Sequence, residues 1–291
     1  MTSALGKVRF GTSSWSEKSW VGAFYPAGTK PANFLPHYAT QFDTVEADTT
    51  YYAIPKREVV RGWGAKTPDG FVMAAKFPAS IVHAGEGKRP DVERVIRWEH
   101  VGSDALRFLD VMRELGPKCG PLVLQFPRFQ KAEFASLGAF LERLEPFLDA
   151  LPTGFRYAVE VRNDVWLQAL LFNALRRRNV ALVLVDIVRM AHPDELAVDD
   201  LVTADFAYVR LIGDRYAIEA RTDRFDRIVV DQGERLARWA RTIERVRKKV
   251  AETFAYANNH YAGFAPETIR ELARQLDERG SGGQGAHAPG S

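Results

Sequence analysis

Short apolar, β-branched segments recur eight times along the chain, at Val8–Thr12, Asp43–Ala47, Phe71–Phe77, Pro121–Phe126, Phe155–Val161, Val180–Asp186, Phe206–Ile212 and Thr253–Asn258. Between them lie stretches with helical periodicity: Pro31–Gln41, Lys56–Lys66, Ser103–Leu115, Lys131–Leu148, Asp164–Arg178, a short one near Val198–Thr203, Gly233–Val250 and Pro266–Arg279. Strands that alternate with helices pair in parallel, because a parallel pair needs a long crossover. Eight such units predict a single α/β domain over residues 1–279, a closed (β/α)8 barrel of the TIM type. No Gly-x-Gly-x-x-Gly follows the first strand, which weighs against a dinucleotide-binding sheet, and no cofactor is read from the sequence.

Local signals fit this order. Asp164 is placed to cap Val165–Arg178, whose last turn carries Arg176, Arg177 and Arg178, the right sign for a helix C-terminus. Pro266 with Glu267 opens the final helix. Two connections are too long for turns: Pro78–Gly102 after the third strand and Gly213–Gln232 after the seventh. Both leave the C-terminal rim, where each is read as a lid or a wall of a site. Residues 280–291 hold nothing apolar larger than alanine and are expected to form a disordered Gly/Ser-rich tail.

Alternation along a strand tells which side chains share a face. Glu46 ends the second segment, just before the loop Asp48–Pro55, and a carboxylate there needs partners. If Glu46 points into the barrel, Thr44 does too. The same reasoning joins Ala74 to Lys76, Val123 to Gln125, Ala158 to Glu160 and Arg162, Leu184 to Asp186, Tyr208 to Arg210, and Tyr256 to Asn258. In almost every case the polar residue comes last, at the end where barrel enzymes gather their chemistry from several strands. Glu46, Lys76, Gln125, Glu160, Arg162, Asp186, Arg210, Asn258 and Asn259 are therefore candidates for a polar pocket. Closed ion pairs such as Glu46–Lys76 and Glu160–Arg210 would explain the same residues without a ligand. Apolar residues would fill a purely structural layer at lower cost, which favours a ligand site.

Composition narrows the partners. No apolar run approaches the ~20 residues needed to cross a bilayer, and Met1-Thr-Ser-Ala-Leu-Gly6 lacks the apolar core of a secretory signal, so no membrane partner is expected. The single cysteine, Cys119, excludes an internal disulfide and cysteine-rich zinc sites. It reads as an inert packing thiol at the barrel bottom, and a reducing cytoplasm is the expected location. A net charge of +3, from 40 basic and 37 acidic side chains, gives no broad case for nucleic acid. The dense run Arg241–Lys249 is read as a solvated helix face. Nothing in the sequence bears on oligomeric state.

A set of motifs adds to this reading. Gly11-Thr-Ser-Ser-Trp15, Trp20, Phe24-Tyr-Pro26, Val45-Glu46 through Tyr51-Tyr52 and Pro55, Phe71 to Lys76, Val159-Glu-Val-Arg162, Tyr208-Val-Arg-Leu211 and Asn258-Asn259 together resemble the DUF72 (YecE-like) family. The resemblance runs from about Val8 to Leu276. It implies a TIM-type barrel, in agreement with the strand count, and implies no particular reaction. Asp48 stands where the family more often has Asn, and Tyr51-Tyr52 where Phe-Tyr is commoner. A His-Gly that commonly follows the strand-seven Arg-Leu pair is Ile212-Gly213 here, which leaves His260 and His83 as substitutes at the rim.

Three chemistries are compatible with these residues. An acid/base or glycosidase-like site would use Glu46 and Glu160 as a carboxylate pair, one raised in pKa, with Lys76 as an electrostatic or proton-transfer group. Trp15, Trp20, Tyr51 and Tyr52 would then be available to stack on a sugar ring. A metal-assisted site would use Glu46, Glu160 and Asp186 with His83 or His260. No His-x-His or Glu-x-x-His spacing supports it, and no metal is assigned. An anion site would use Arg162 and Arg210 as bidentate clamps, with Gly213 and Gly263 in the loops where this fold often holds phosphate. No Gly-x-Ser-x-Gly elbow is present.

The expectation is an enzyme, a hydrolase, lyase or isomerase, acting on a small polar substrate that is anionic or sugar-derived. Glu46, Glu160 and Lys76 would be catalytic. Arg162, Arg210, Asp186, Gln125, Asn258, Asn259, Tyr51, Tyr52 and Trp15 would bind substrate. Glu46→Gln or Arg210→Ala is expected to spare the fold and abolish binding. The alternative is a non-catalytic binding or scaffolding protein that touches nucleic acid through Arg235–Lys249.

Overall fold

The computed structural model describes residues 5–85, 89–196 and 201–282. Each of the eight apolar segments forms one strand: β1 (Lys7–Thr12), β2 (Thr44–Ala47), β3 (Val72–Lys76), β4 (Cys119–Gln125), β5 (Tyr157–Glu160), β6 (Ala181–Ile187), β7 (Phe206–Gly213) and β8 (Glu252–Ala257). All pair in parallel, in the order β1-β8-β7-β6-β5-β4-β3-β2. The helices Phe34–Tyr38, Arg57–Ala65, Trp98–Met112, Leu137–Ala150, Ala169–Arg176, Gly233–Val246 and Ala265–Gly282 surround this nearly closed barrel. Residues 198–200 of the short helix expected near Val198–Thr203, and residues 283–291 of the expected tail, lie outside the described residues. The final helix continues past Arg279 to Gly282.

Both faces of the sheet are buried, as the near-continuous apolar runs of a parallel sheet require. Val72, Ala74, Val123, Ala158, Val183, Tyr208 and Tyr256 fill the barrel interior. Val45, Met73, Leu122, Leu124, Val159, Leu182, Leu184 and Val209 face the helices. One capping expectation fails. Asp164 sits in the 3-10 turn Asp164–Trp166, and Leu167, with ψ of 78°, breaks the helical path before Ala169. The Asp164 carboxylate instead accepts the Ala191 N–H at 2.8 Å.

Among the described residues no backbone ladder joins β1 to β2; a glycine and a phenol close this seam. A Cβ at Gly11 would stand 2.3 Å from the Thr44 carbonyl oxygen, so only glycine lets the strands lie this close. The buried Tyr38 hydroxyl takes the place of a rung. It accepts the Thr12 N–H at 2.8 Å and donates to the Thr44 carbonyl at 3.2 Å.

The long connections carry short helices of their own, Ala79–Val82 after β3 and Arg215–Glu219 after β7. The second is tied along the rim as a wall. The Phe225 N–H donates to Ser19 Oγ at 3.1 Å and the Val229 N–H to the Ala262 carbonyl at 2.8 Å. Gly213, with φ of 77°, lets the end of β7 approach Tyr261, whose Cα would be 2.5 Å from a Cβ there. Chain likewise fills the space beside Gly263, with Arg227 O 2.8 Å from a Cβ placed there. These glycines permit close packing of the rim and do not leave a phosphate-sized opening. Among the described residues no helix is long and apolar enough to cross a membrane.

Candidate active site at the barrel mouth

Strand alternation carries one cation into the centre of the mouth. Arg210, from β7, donates through Nη2 to Glu46 Oε1 at 2.9 Å and through Nη1 to Gln125 Oε1 at 2.8 Å and to Glu160 Oε2. The Tyr208 hydroxyl, two residues earlier on the same face, donates to Glu46 Oε2 at 2.7 Å. Arg162 Nε donates to Glu160 Oε1 at 3.0 Å. All four carboxylate oxygens of the glutamates are thus engaged. Glu46 and Glu160 are both 0 % exposed and Arg210 is 1 % exposed.

This geometry corrects the expected acid/base pair. Burial alone would push both carboxyls up. Burial is the largest single influence on each, and it is outweighed only by Arg210 together with Lys76 and the Tyr208 hydroxyl at Glu46, and by Arg210 together with Arg162 at Glu160. Glu46 is held below the usual carboxylate range, and Glu160 is lowered to about 2. Both shifts run opposite to the raised pKa expected of the acid member of such a pair. Arg210, committed to both, is not available to grip a ligand.

Asp186 does not join the network, and this is a second correction. It lies on the helix-facing side of β6 with Leu184, where the Arg235 guanidinium grips it and Trp239 Nε1 and the Tyr261 hydroxyl donate at 2.5 and 3.1 Å. The three carboxylates considered for a metal therefore do not converge. Among the described residues no other group of three His, Cys, Asp or Glu side chains is placed to hold one.

Lys76, from β3, comes to the same mouth but is loosely held. Its Nζ lies 3.6 Å from Glu46 Oε1, and the residue is only 9 % exposed. Burial is the main reason its pKa falls; the positive charge of Arg210 adds to that, against the pull of Glu46 and Asp48. Asp48, just past β2, is moved the opposite way, upward, mainly by burial and against the pull of Lys76. The sequence pattern placed Asp48 only in the loop that follows Glu46. Its spacing of two from Glu46, the same face by parity, was the available signal.

An open cleft of about 270 Å³ lies beside this network, at the ends of β1, β2 and β8. Ser13 and Ser14, Asp48, Asn258 and His260 line it, and Phe225 from the long β7 connection closes one side. Asn258 Oδ1 accepts the His260 N–H at 2.9 Å and turns the chain. Asn259 is a structural tie, its Oδ1 accepting from Trp20 Nε1 at 3.2 Å and from the Ala265 N–H at 3.0 Å. The His260 ring lies between Asn258 and Glu219, and burial lowers its pKa. His83 does not line this cleft; its Nδ1 pairs with the Gly85 carbonyl at 3.3 Å. Trp15 does not line this cleft; it packs edge-on against Trp63 with centroids 5.5 Å apart. Tyr51 is half-buried, while Tyr52 is 81 % exposed against its edge.

Fold and site together define a (β/α)8-barrel protein with an ion-paired floor and a polar cleft at its C-terminal mouth. The chain belongs to the DUF72 family: the model for "Protein of unknown function DUF72" matches residues 9–290. It is 33 % identical over 201 residues to the UPF0759 protein YecE of Escherichia coli strain K12, a match spanning 66 % of this chain and 65 % of that protein. A DUF72 family protein from Thermotoga maritima MSB8 shares the fold with a TM-score of 0.69 and 26 % identity, over 93 % of this chain and 99 % of that one. Another from Enterococcus faecalis V583 has a TM-score of 0.69 and 21 % identity, over 93 % and 96 %.

Proposed function

We propose that this protein is an enzyme, a hydrolase, lyase or isomerase, that transfers protons between Lys76 and Asp48 and a small polar substrate at the barrel mouth. The observation that carries the reading is the contrast between two kinds of buried charge. In the Glu46–Arg210–Glu160 network every glutamate oxygen has a donor, although Arg210 Nε has no partner among the described residues, and the network serves as a fixed electrostatic frame. Lys76 and Asp48 stand at its edge, and burial moves each of them toward neutrality. Groups shifted this way suit acid/base work near neutral pH, with a neutral amine as base and a protonated carboxyl as acid.

The two-arginine clamp reduces to Arg162, which is 29 % exposed in its side chain and spends only Nε on Glu160 among the described residues. A nucleic-acid role for the helix Gly233–Val246 is not favoured. Its Arg235 is held by Asp186 and its Arg238 by Asp194 and Glu195, and Glu244 pairs with Arg247 and Lys248 just beyond it. We also propose a cytoplasmic setting, which suits the single thiol, Cys119, pushed up to about 11 by burial.

The test needs no substrate. Nuclear magnetic resonance of ¹³Cε-labelled lysine, with Lys76 assigned through Lys76→Met, is expected to show Lys76 titrating below the surface lysines. Asp48→Asn removes a neighbouring negative charge and is expected to lower it further. If Lys76 titrates with the exposed lysines, near ~10.4, the assignment is wrong.

A further inference from the structure

We infer that the cleft between the ends of β1, β2 and β8 binds an uncharged, polyhydroxylated ligand of about one ring in size. The inference deepens the acid/base reading, since this cleft would present its ligand to Asp48. Its test is a binding measurement and does not require turnover.

Ser13 is the first observation. It is 3 % exposed and lines the cleft, yet its Oγ has no partner, while its backbone N–H is used on the Ala257 carbonyl at 2.9 Å. A buried hydroxyl left unpaired is costly, so such a group marks a place where a partner arrives. A ligand hydroxyl suits it, because it can both donate to and accept from Ser13.

The charge of the lining is the second observation. Glu17 and Asp48 are the charged residues around the cleft, and no lysine or arginine lines it. Lys76 acts on Asp48 through its charge without lining the cleft, and Arg162 donates to Glu160. A phosphate or carboxylate in this space would meet the Glu17 carboxylate and the Asp48 carboxyl with no lysine or arginine beside it, whereas ligand hydroxyls would find hydrogen-bond partners in both. Asn258 spends its carbonyl oxygen on His260, leaving its amide hydrogens as donors, and Ser14 and Ser16 add further hydroxyls. Phe225 adds apolar aromatic surface to the lining, packed edge-on against His260 with centroids 5.0 Å apart. At about 270 Å³ the space is at the small end of ligand pockets and suits a single ring.

The experiment is saturation-transfer nuclear magnetic resonance on the full chain with D-xylose, D-glucose and myo-inositol, run beside D-gluconate and D-glucose 6-phosphate. At least one uncharged compound is expected to bind while its anionic counterparts do not. Ser13→Ala is expected to weaken that binding roughly 10-fold without lowering the thermal midpoint, because Oγ makes no bond in the free protein. Binding by the anions alone, no binding by any of the five, or undiminished binding by Ser13→Ala would each overturn the inference. The lysine titration is independent, so loss of the acid/base reading and loss of this one are told apart.

Discussion

Arg210 and Lys76 are buried cations that reach the same glutamate with opposite consequences for stability. Arg210 supplies a charge-assisted hydrogen bond to each of two fully buried carboxylates. Arg210→Met would leave both without their main counter-charge, a loss expected to be about 3–5 kcal/mol in guanidinium unfolding. The expectation that Arg210→Ala spares the fold is revised accordingly. Among the described residues the one ion pair of Lys76 is its 3.6 Å contact with Glu46, set against nearly complete burial, and Arg210 and Tyr208 already hold both Glu46 oxygens. Lys76→Met is therefore expected to raise the unfolding midpoint, the mark of a residue kept against stability. A lower midpoint would mean that its ion pair outweighs its burial. Glu46, Lys76, Glu160 and Arg210 could be read from the sequence because a charge ending an apolar strand must find a partner. Asp186 misled because β6 is apolar on both faces. Leu184 fits either core equally well, so alternation there has a period but no direction.

The elements themselves were legible down to all eight strands, since a parallel barrel repeats one local unit. What alternation cannot show is how the first strand meets the second. The seam depends on Gly11, which looks like any strand glycine, and on Tyr38, which lies on a helix between the two strands. Tyr38→Phe would keep the packing and remove the bridging hydroxyl, leaving the Thr12 N–H and Thr44 C=O without that bond. A loss of about 1–3 kcal/mol is expected, with an unchanged circular dichroism spectrum. Gly11→Ala should cost more, because the clash is with backbone, which cannot rotate away. Equal stability of Gly11→Ala and the wild type would show that the seam tolerates separation. The Asp164 error has a similar origin. A good capping residue was visible, but the break at Leu167 and the tie to Ala191 are tertiary.

At the scale of the molecule, acid stability separates the mouth from the surface. Glu160 falls from an ordinary 4.5 to about 2 on folding, so between those values the unfolded chain binds more protons than the folded one. Stability from this group is therefore fully present above about pH 4.5 and lost as pH falls toward 2, a difference on the order of 3 kcal/mol. Glu114, lowered to about 2 by Arg61 and Arg57, titrates over the same window, but it is only half-buried and both its partners are exposed. Salt discriminates between them, because screening acts on solvent-exposed pairs and little on buried ones. Unfolding free energies of wild type and Glu160→Gln should differ most above pH 4.5 and converge toward pH 2, since the glutamine does not titrate. That convergence should survive 1 M salt, where the Debye length shrinks to about 3 Å. A stability difference that is flat across acid pH, or one that salt erases, would mean that the mouth network is solvated and that Arg210 does not set the charge state of the barrel floor.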